Sequence, residues 1–239
     1  MQEMEAMQEH SKLPLYDDKG INLADPHDSL GHKTEYISLI QKKAIQMYLE
    51  ISGKDALDVG CGYGRMAACL GELGYQVTGV EPSERIISIA AQNQPGHCWK
   101  VGALPELPVA KESFDLVCLF NVARALHLMG IADVCASLPD YVKPGGKLII
   151  IDNIRKDDAR FLPEEWYDNF FSRNDLKLIT KKPIRASRWF MIYLIRYGLI
   201  PRKWFDKIAD WELHRMSKRK TPPKLSYYNY IYIFKKNEY

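Results

Sequence analysis

Between Thr34 and Ile51 apolar residues recur at helical spacing (Ile37, Ile40, Ala44, Ile45, Tyr48, Leu49), which predicts a helix. Beyond it the period changes. Short apolar runs bounded by turn residues predict strands near 55–59, 76–80, 98–101, 114–119 and 147–152. The segments near 63–73, 83–92, 122–127, 131–141 and 163–171 read as helices. A run such as Leu148-Ile149-Ile150-Ile151 has no polar alternation, as a parallel sheet covered on both faces requires. Leu176 to Thr180 and the stretch from Tyr227 to Phe234 read as sixth and seventh strands. The predicted class is α/β, a doubly wound seven-stranded sheet with a helical insert between its last two strands.

Residues 1–32, with Pro14, Gly20, Pro26 and Gly31, read as an irregular N-terminal arm; 33–182 and 225–239 carry the sheet, and 183–224 form the insert. The insert changes the electrostatic picture. It holds eleven Lys/Arg against three Asp/Glu, a charge of +8, so a total of +3 leaves −5 for the rest of the chain. It also carries the apolar run from Trp189 to Ile195, flanked by Arg185, Arg188 and Arg196, and later Trp204 and Trp211. The five cysteines, 61, 69, 98, 118 and 135, show no C-x-x-C pairing and read as buried thiols of a reducing compartment. Met1 to Lys12 is polar, unlike a signal peptide, and no stretch reaches the roughly 18 apolar residues of a spanning helix, so the expected location is cytoplasmic.

The densest chemistry lies in Ala56-Leu57-Asp58-Val59-Gly60-Cys61-Gly62-Tyr63-Gly64-Arg65. An apolar strand leads into three alternate glycines, which allow a sharp turn and close approach of a ligand to the backbone. The second strand ends in Glu81, 23 residues past Asp58, about where a carboxylate meets the hydroxyls of a ribose. Dinucleotide-binding loops read G-x-G-x-x-G and hold an anionic pyrophosphate on a helix N-terminus. Here Asp58 points an anion at the site, which suits a cationic ligand. With Gly79-Val80-Glu81-Pro82-Ser83, Gly102 to Pro108, Ser113-Phe114-Asp115-Leu116-Val117 and Tyr141 to Leu148 following in order, the chain resembles the class I S-adenosylmethionine-dependent methyltransferases over about residues 54–152. The resemblance implies a Rossmann-like fold and S-adenosyl-L-methionine as cofactor. It also implies that Asp58, Gly60, Cys61, Gly62 and Gly64 line the methionine and ribose region. Glu81 and Pro82 would meet the ribose, Ala103 and Leu104 the adenine, and Phe120 and Asn121 the underside of the methionine. Many relatives place an acid where this chain has Ala103.

The acceptor side offers Arg124, His127 and Asp152 as catalytic candidates. Arg124 could steer a carboxylate or phosphate, and His127 could act as a base near neutral pH. Asp152-Asn153 resembles the divalent-cation pair of catechol-type O-methyltransferases, but Phe120 stands where a further Asp is needed, so no metal is expected. Asp152 otherwise reads as a cap. His32, Lys33 and Tyr16 of the arm could close over the cofactor. In the resembling topology the sixth strand ends on the ligand side of the sheet, which puts the insert over the acceptor pocket. Arginines beside aromatic surface suit a small-molecule, glycan or lipid-linked acceptor with an anionic part, methylated at oxygen. The Arg-flanked apolar run is also compatible with peripheral contact to an anionic membrane. A nucleic-acid methyltransferase, suggested by Lys218-Arg219-Lys220, lacks the Pro-Pro-aromatic and Pro-Cys segments of base methylation, so nucleic acid is disfavoured. A non-catalytic cofactor-binding or partner-binding module is the remaining alternative.

Overall fold

The computed structural model describes residues 28–155, 157–170, 175–186, 189–219 and 227–238. Tyr16 and the rest of the arm before Asp28 lie outside the described residues, as do Arg188 and Lys220. In chain order the elements are α1 (His32–Tyr48), β1 (Asp55–Val59), α2 (Arg65–Glu72), β2 (Gln76–Glu81), α3 (Glu84–Asn93), β3 (Cys98–Val101) and β4 (Phe114–Phe120). There follow α4 (Ala123–Leu128), a 3-10 segment (Ala132–Tyr141), β5 (Val142–Ile154), α5 (Glu164–Phe170), β6 (Leu176–Ala186), α6 (Phe190–Arg196), α7 (Phe205–Ser217) and β7 (Tyr228–Lys236).

The seven strands form one sheet in the order β3-β2-β1-β4-β5-β7-β6. Strands β1 to β5 are parallel, and β7 runs antiparallel to both β5 and β6. Alternation along β5 explains its unbroken apolar run. Ile149 and Ile151 enter a core with α1, α2, α6 and α7, while Leu148 and Ile150 enter a second core on the opposite face with Leu138, Tyr141 and Tyr167. The chain reverses direction across the sheet between β1 and β4, the crevice at which such sheets bind ligands beyond the carboxyl ends of their strands.

Three expectations change. The first helix begins at His32 because the Asp28 carboxylate accepts from the N–H groups of Lys33 and Thr34, so His32 belongs to α1 and packs edge-on against Phe205. The sixth strand, expected over Leu176 to Thr180, runs on through Pro183. Pro183 sits at a register shift against β7, where a missing N–H costs no regular ladder bond, and β6 continues to Ala186. Residues 183–186 therefore belong to the sheet, and Arg185 arrives on a strand. Cys98, expected in the core, is exposed on the edge strand β3. Among the described residues no helix is long and apolar enough to cross a membrane.

Candidate functional site

The first half of the site is built around two buried carboxylates. Asp58 lies one residue before the end of β1 and Glu81 is the last residue of β2, each 1% exposed. The turn after β1 is fixed by Gly60 N–H and Cys61 N–H, both donating to the Val80 carbonyl (2.8 and 3.2 Å). Gly62 N–H donates to Glu81 Oε2 at 3.1 Å, so the loop and the second strand are tied together. Gly60 and Gly64 have φ of +69° and +86°, and a Cβ on them would meet Val122 and Trp99 at 2.6 Å. Gly62, at φ +54°, has nothing within 4 Å of where its Cβ would stand, so the loop leaves open space there.

Asp58 carries the chemistry of this half. Neither of its buried carboxylate oxygens has a hydrogen-bond partner among the described residues. Burial pushes its pKa up to about 7, with Arg65 opposing and Glu81 adding to the shift. A carboxylate left bare in the interior is costly unless a donor or cation meets it, and an ammonium-bearing ligand does so. The residues therefore fit the cationic cofactor that the resemblance implies. Cys61 is buried with its thiol pushed up by desolvation, Phe120 is buried at the end of β4, and Ala103 is exposed.

Two polar residues that the sequence reading missed connect this half to the rest. Arg65 donates to Gln41 Oε1 (2.8 Å), Gln41 to Asn229 Oδ1 (3.2 Å), and Asn229 to both Asn121 Oδ1 (3.3 Å) and Asn153 Oδ1 (3.2 Å). Asn121 closes the chain with φ of +60°, a left-handed conformation that asparagine tolerates better than most side chains. The signal was present in the sequence, since Asn229 interrupts an otherwise aromatic and aliphatic strand.

The second half is a cavity of about 330 Å³ beside the ends of β4, β5 and β6. Lys33, Arg124, Arg155, Arg160, Arg185 and Arg196 line it together with Phe161, Ile192, Tyr193 and Tyr227, and no carboxylate is among the lining residues. The Arg124 guanidinium lies 4.4 Å above the Phe161 ring, which stacks on Tyr227 at 5.7 Å. Asp158 accepts from Arg160 Nε and Nη2 (2.8 and 2.7 Å) and pairs with Arg155 at 3.3 Å. These hydrogen bonds, chiefly from Arg160, hold its pKa below the ordinary carboxylate range. Behind Arg185, Glu212 accepts from the Tyr36 hydroxyl at 2.7 Å. Burial pushes the Glu212 pKa up to about 7 against the pull of Arg185 and Arg215.

Of the three catalytic candidates, Arg124 reaches the cavity. Asp152 is fully buried, and its oxygens accept from Arg124 N–H (2.9 Å) and Asn153 N–H (2.7 Å), so it caps the start of α4. Burial raises its pKa to about 6. His127 Nε2 lies 2.9 Å from the Ala159 carbonyl, and His127 is not among the lining residues. Lys33 lines the cavity, whereas His32 faces Phe205. Among the described residues no group of three or more His, Cys, Asp or Glu could hold a metal ion. Arg155 and Arg160 were not singled out in the sequence, where they sit between the expected elements, and Tyr227, read there as the start of the seventh strand, precedes a strand that begins at Tyr228.

A family model for a methyltransferase domain matches residues 57–150. A ubiquinone biosynthesis O-methyltransferase of Coxiella burnetii is 32% identical over 117 residues, 47% of this chain and 49% of that protein. An uncharacterised methyltransferase of Mycobacterium tuberculosis is 28% identical over 122 residues, 51% of this chain and 49% of that one. The chain thus spans about half the length of the curated relatives it matches. The plantazolicin methyltransferase BpumL, solved with SAH, superimposes with a TM-score of 0.58 at 14% identity over 90% of this chain and 89% of that chain. The YcgJ protein of Bacillus subtilis does so with a TM-score of 0.55 at 17% identity over 85% and 99%. At these identities the likeness is one of fold.

Proposed function

We propose that the chain is a class I S-adenosylmethionine-dependent methyltransferase that transfers a methyl group to a small-molecule acceptor, at oxygen. The observation that carries this reading is Asp58, buried and bare at the mouth of the β1/β4 crevice, beside Glu81 and the glycine turn. S-adenosylmethionine, when bound, supplies an electrophilic methyl on a sulfonium. The residues that would hold it are Asp58, Gly60, Cys61, Gly62 and Gly64 around the methionine and ribose, with Glu81 and Pro82 at the ribose. Ala103 and Leu104 would flank the adenine, and Phe120 and Asn121 would lie beneath the methionine. The protein's own contribution is alignment and exclusion of water. Asp152 positions Arg124 through the helix start, and Ile192, Tyr193 and Arg196 of the insert wall the acceptor cavity.

Calorimetry with S-adenosylhomocysteine tests the reading. Binding is expected, and Glu81→Ala should weaken it about tenfold or more, because each charge-assisted hydrogen bond contributes about 1.5–3 kcal/mol. Unchanged affinity in that variant, or no binding by the native protein, would overturn it. Turnover should also survive EDTA, since Asp152 and Asn153, the pair resembling metal ligands, have their oxygens engaged by Arg124, Asn153 and Asn229.

The acceptor classes that fit the cavity extend to saccharide and lipid-linked compounds, and peripheral membrane contact favours the latter. Phe190, Tyr193, Tyr197 and Leu199 are exposed along α6 and its end, next to the cationic stretch Arg202-Lys203. Co-sedimentation with phosphatidylglycerol vesicles but not phosphatidylcholine vesicles is expected, and sedimentation with neither removes this part of the proposal. The nucleic-acid reading has less to stand on, because six of the cations converge on one cavity.

A further inference from the structure

Two of the arginines that line the cavity have a buried donor to spare. Arg185, which is 4% exposed, and Arg124 each carry a buried Nε with no hydrogen-bond partner among the described residues. Resting on the methyltransferase reading, we propose that the cavity holds one carboxylate of the methyl acceptor, a monocarboxylic acid whose apolar body lies against the Phe161–Tyr227 wall. A buried guanidinium with an unmet N–H is costly, and a ligand oxyanion would accept from it. Both arginines are tied to the junction of the two halves of the site. Arg185 pairs in register with Asn229, whose amide donates to Asn121, and Arg124 lies in the first turn of α4, three residues after Asn121.

The charge around the cavity sets the valence of that ligand. Arg155 and Arg160 share the Asp158 carboxylate, Asp152 attracts Arg124, and Glu212 attracts Arg185. Lys33 and Arg196 each have a partner of their own and stay out of the balance. Arg215 also faces Glu212, but it lies outside the lining, over the rings of Trp189 and Trp211. Four lining arginines thus stand against three carboxylates, and one positive charge is left for a ligand. A carboxylate carries one negative charge on two oxygens side by side, which matches a guanidinium fork. A phosphate monoester, at about −1.5 to −2 near pH 7, would exceed the balance. The Phe161 ring beneath Arg124 holds the guanidinium at 4.4 Å without using its N–H groups, so the anchor is in place before the ligand arrives. Phe161 and Tyr227, stacked at 5.7 Å, then offer an aromatic surface to the rest of the acid within about 330 Å³.

The test is calorimetry of the full chain with 2-naphthoate, one carboxylate on an apolar body, against the neutral 2-naphthamide and the more highly charged 2-naphthyl phosphate. The acid is expected to bind one to one, at least tenfold more tightly than the amide and no more weakly than the phosphate. Arg124→Gln should weaken the acid at least tenfold and leave the amide within a few-fold, a charge-specific loss that a packing defect would not give. Arg185→Gln should do the same. Should that buried variant fail to fold, the acid-to-amide ratio of the native protein and the Arg124→Gln variant still decide. Equal binding of acid and amide, binding of neither, tighter binding of the phosphate, or equal loss of acid and amide in Arg124→Gln overturns the proposal. A carboxylate could also come from the cofactor itself, so the titration is repeated with S-adenosylhomocysteine at saturation. Retained 2-naphthoate binding supports an acceptor site, and exclusion by S-adenosylhomocysteine overturns it in favour of the cofactor's own carboxylate. If 2-naphthoate binds as expected and S-adenosylhomocysteine does not bind at all, the carboxylate site stands and the methyltransferase reading falls. The reverse pattern removes the carboxylate site and leaves that reading intact.

Discussion

The two halves of the site carry opposite charge and are put together in opposite ways. Around the cofactor side stand Asp58 and Glu81, delivered by adjacent strands and a single glycine turn within 24 residues of sequence. Around the cavity proposed for the acceptor stand six cations drawn from five segments between Lys33 and Arg196. A cationic donor and an anionic acceptor would thus be sorted to their places by field alone before any shape is read. The halves meet through Asn121, Asn153 and Asn229, neutral side chains that bond to one another and leave the charges on either side undisturbed. Conserving the cofactor half while varying the segments of the other is a route by which one fold can serve many acceptors.

The comparison breaks most sharply if the insert is a detachable cover, as its position between two strands suggests. In the structure it is part of the core: Ile192 and Ile195 of α6 and Ala209 and Leu213 of α7 pack in one cluster with Tyr36, Ile40 and Ala44 of α1. Leu213→Ala should therefore cost about 2–5 kcal/mol in global stability, a large share of the roughly 5–15 kcal/mol available to a domain. Urea denaturation checks this. One cooperative transition, displaced as far as in Leu57→Ala on the opposite sheet face, is the expected result; a separate early transition, or no displacement, would make the insert an independent lid.

The difference between the halves also decides what the sequence could disclose. Seven strands and the glycine turn after the first were legible because apolar runs and alternate glycines are local patterns. Asp58, Glu81 and the glycines sit where the pattern put them. The cavity was not legible in the same way. Its arginines lie far apart, and Arg155 and Arg160 look like ordinary loop residues until Asp158 is seen holding both. Arg185 was read as part of the insert because the sixth strand was expected to end at Thr180, and the register shift that lets β6 run past Pro183 is a property of its pairing with β7. Asp152 shows the converse limit, since a carboxylate at a strand end could be a ligand or a cap, and only the position of the Arg124 N–H distinguishes them.

A smaller effect, in pH dependence, sharpens the contrast because the two halves should respond with opposite sign. Asp58, with a pKa pushed up to about 7 by burial, takes up a proton as pH falls from 8 to 6 and ceases to attract a cation. A ligand ammonium favours the ionised form, so S-adenosylhomocysteine should bind more weakly at pH 6 than at pH 8, by up to about tenfold, and should release a proton on binding at pH 6. On the acceptor side the arginines stay charged throughout, but Glu212, also near 7, protonates over the same range and frees Arg185 from its countercharge. Sulfate, which does not titrate there, should consequently bind more tightly at pH 6. The sign for stability follows from the same shifts. Asp58, Asp152 and Glu212 all have folded-state values above the ordinary carboxylate range, so they favour the folded state at low pH and this contribution is lost as pH rises through about 6 to 7. Calorimetry of both ligands at the two pH values reads the contrast directly. Parallel slopes would mean that Asp58 and Glu212 do not face opposite charges, and the division of the site into an anionic and a cationic half would fail.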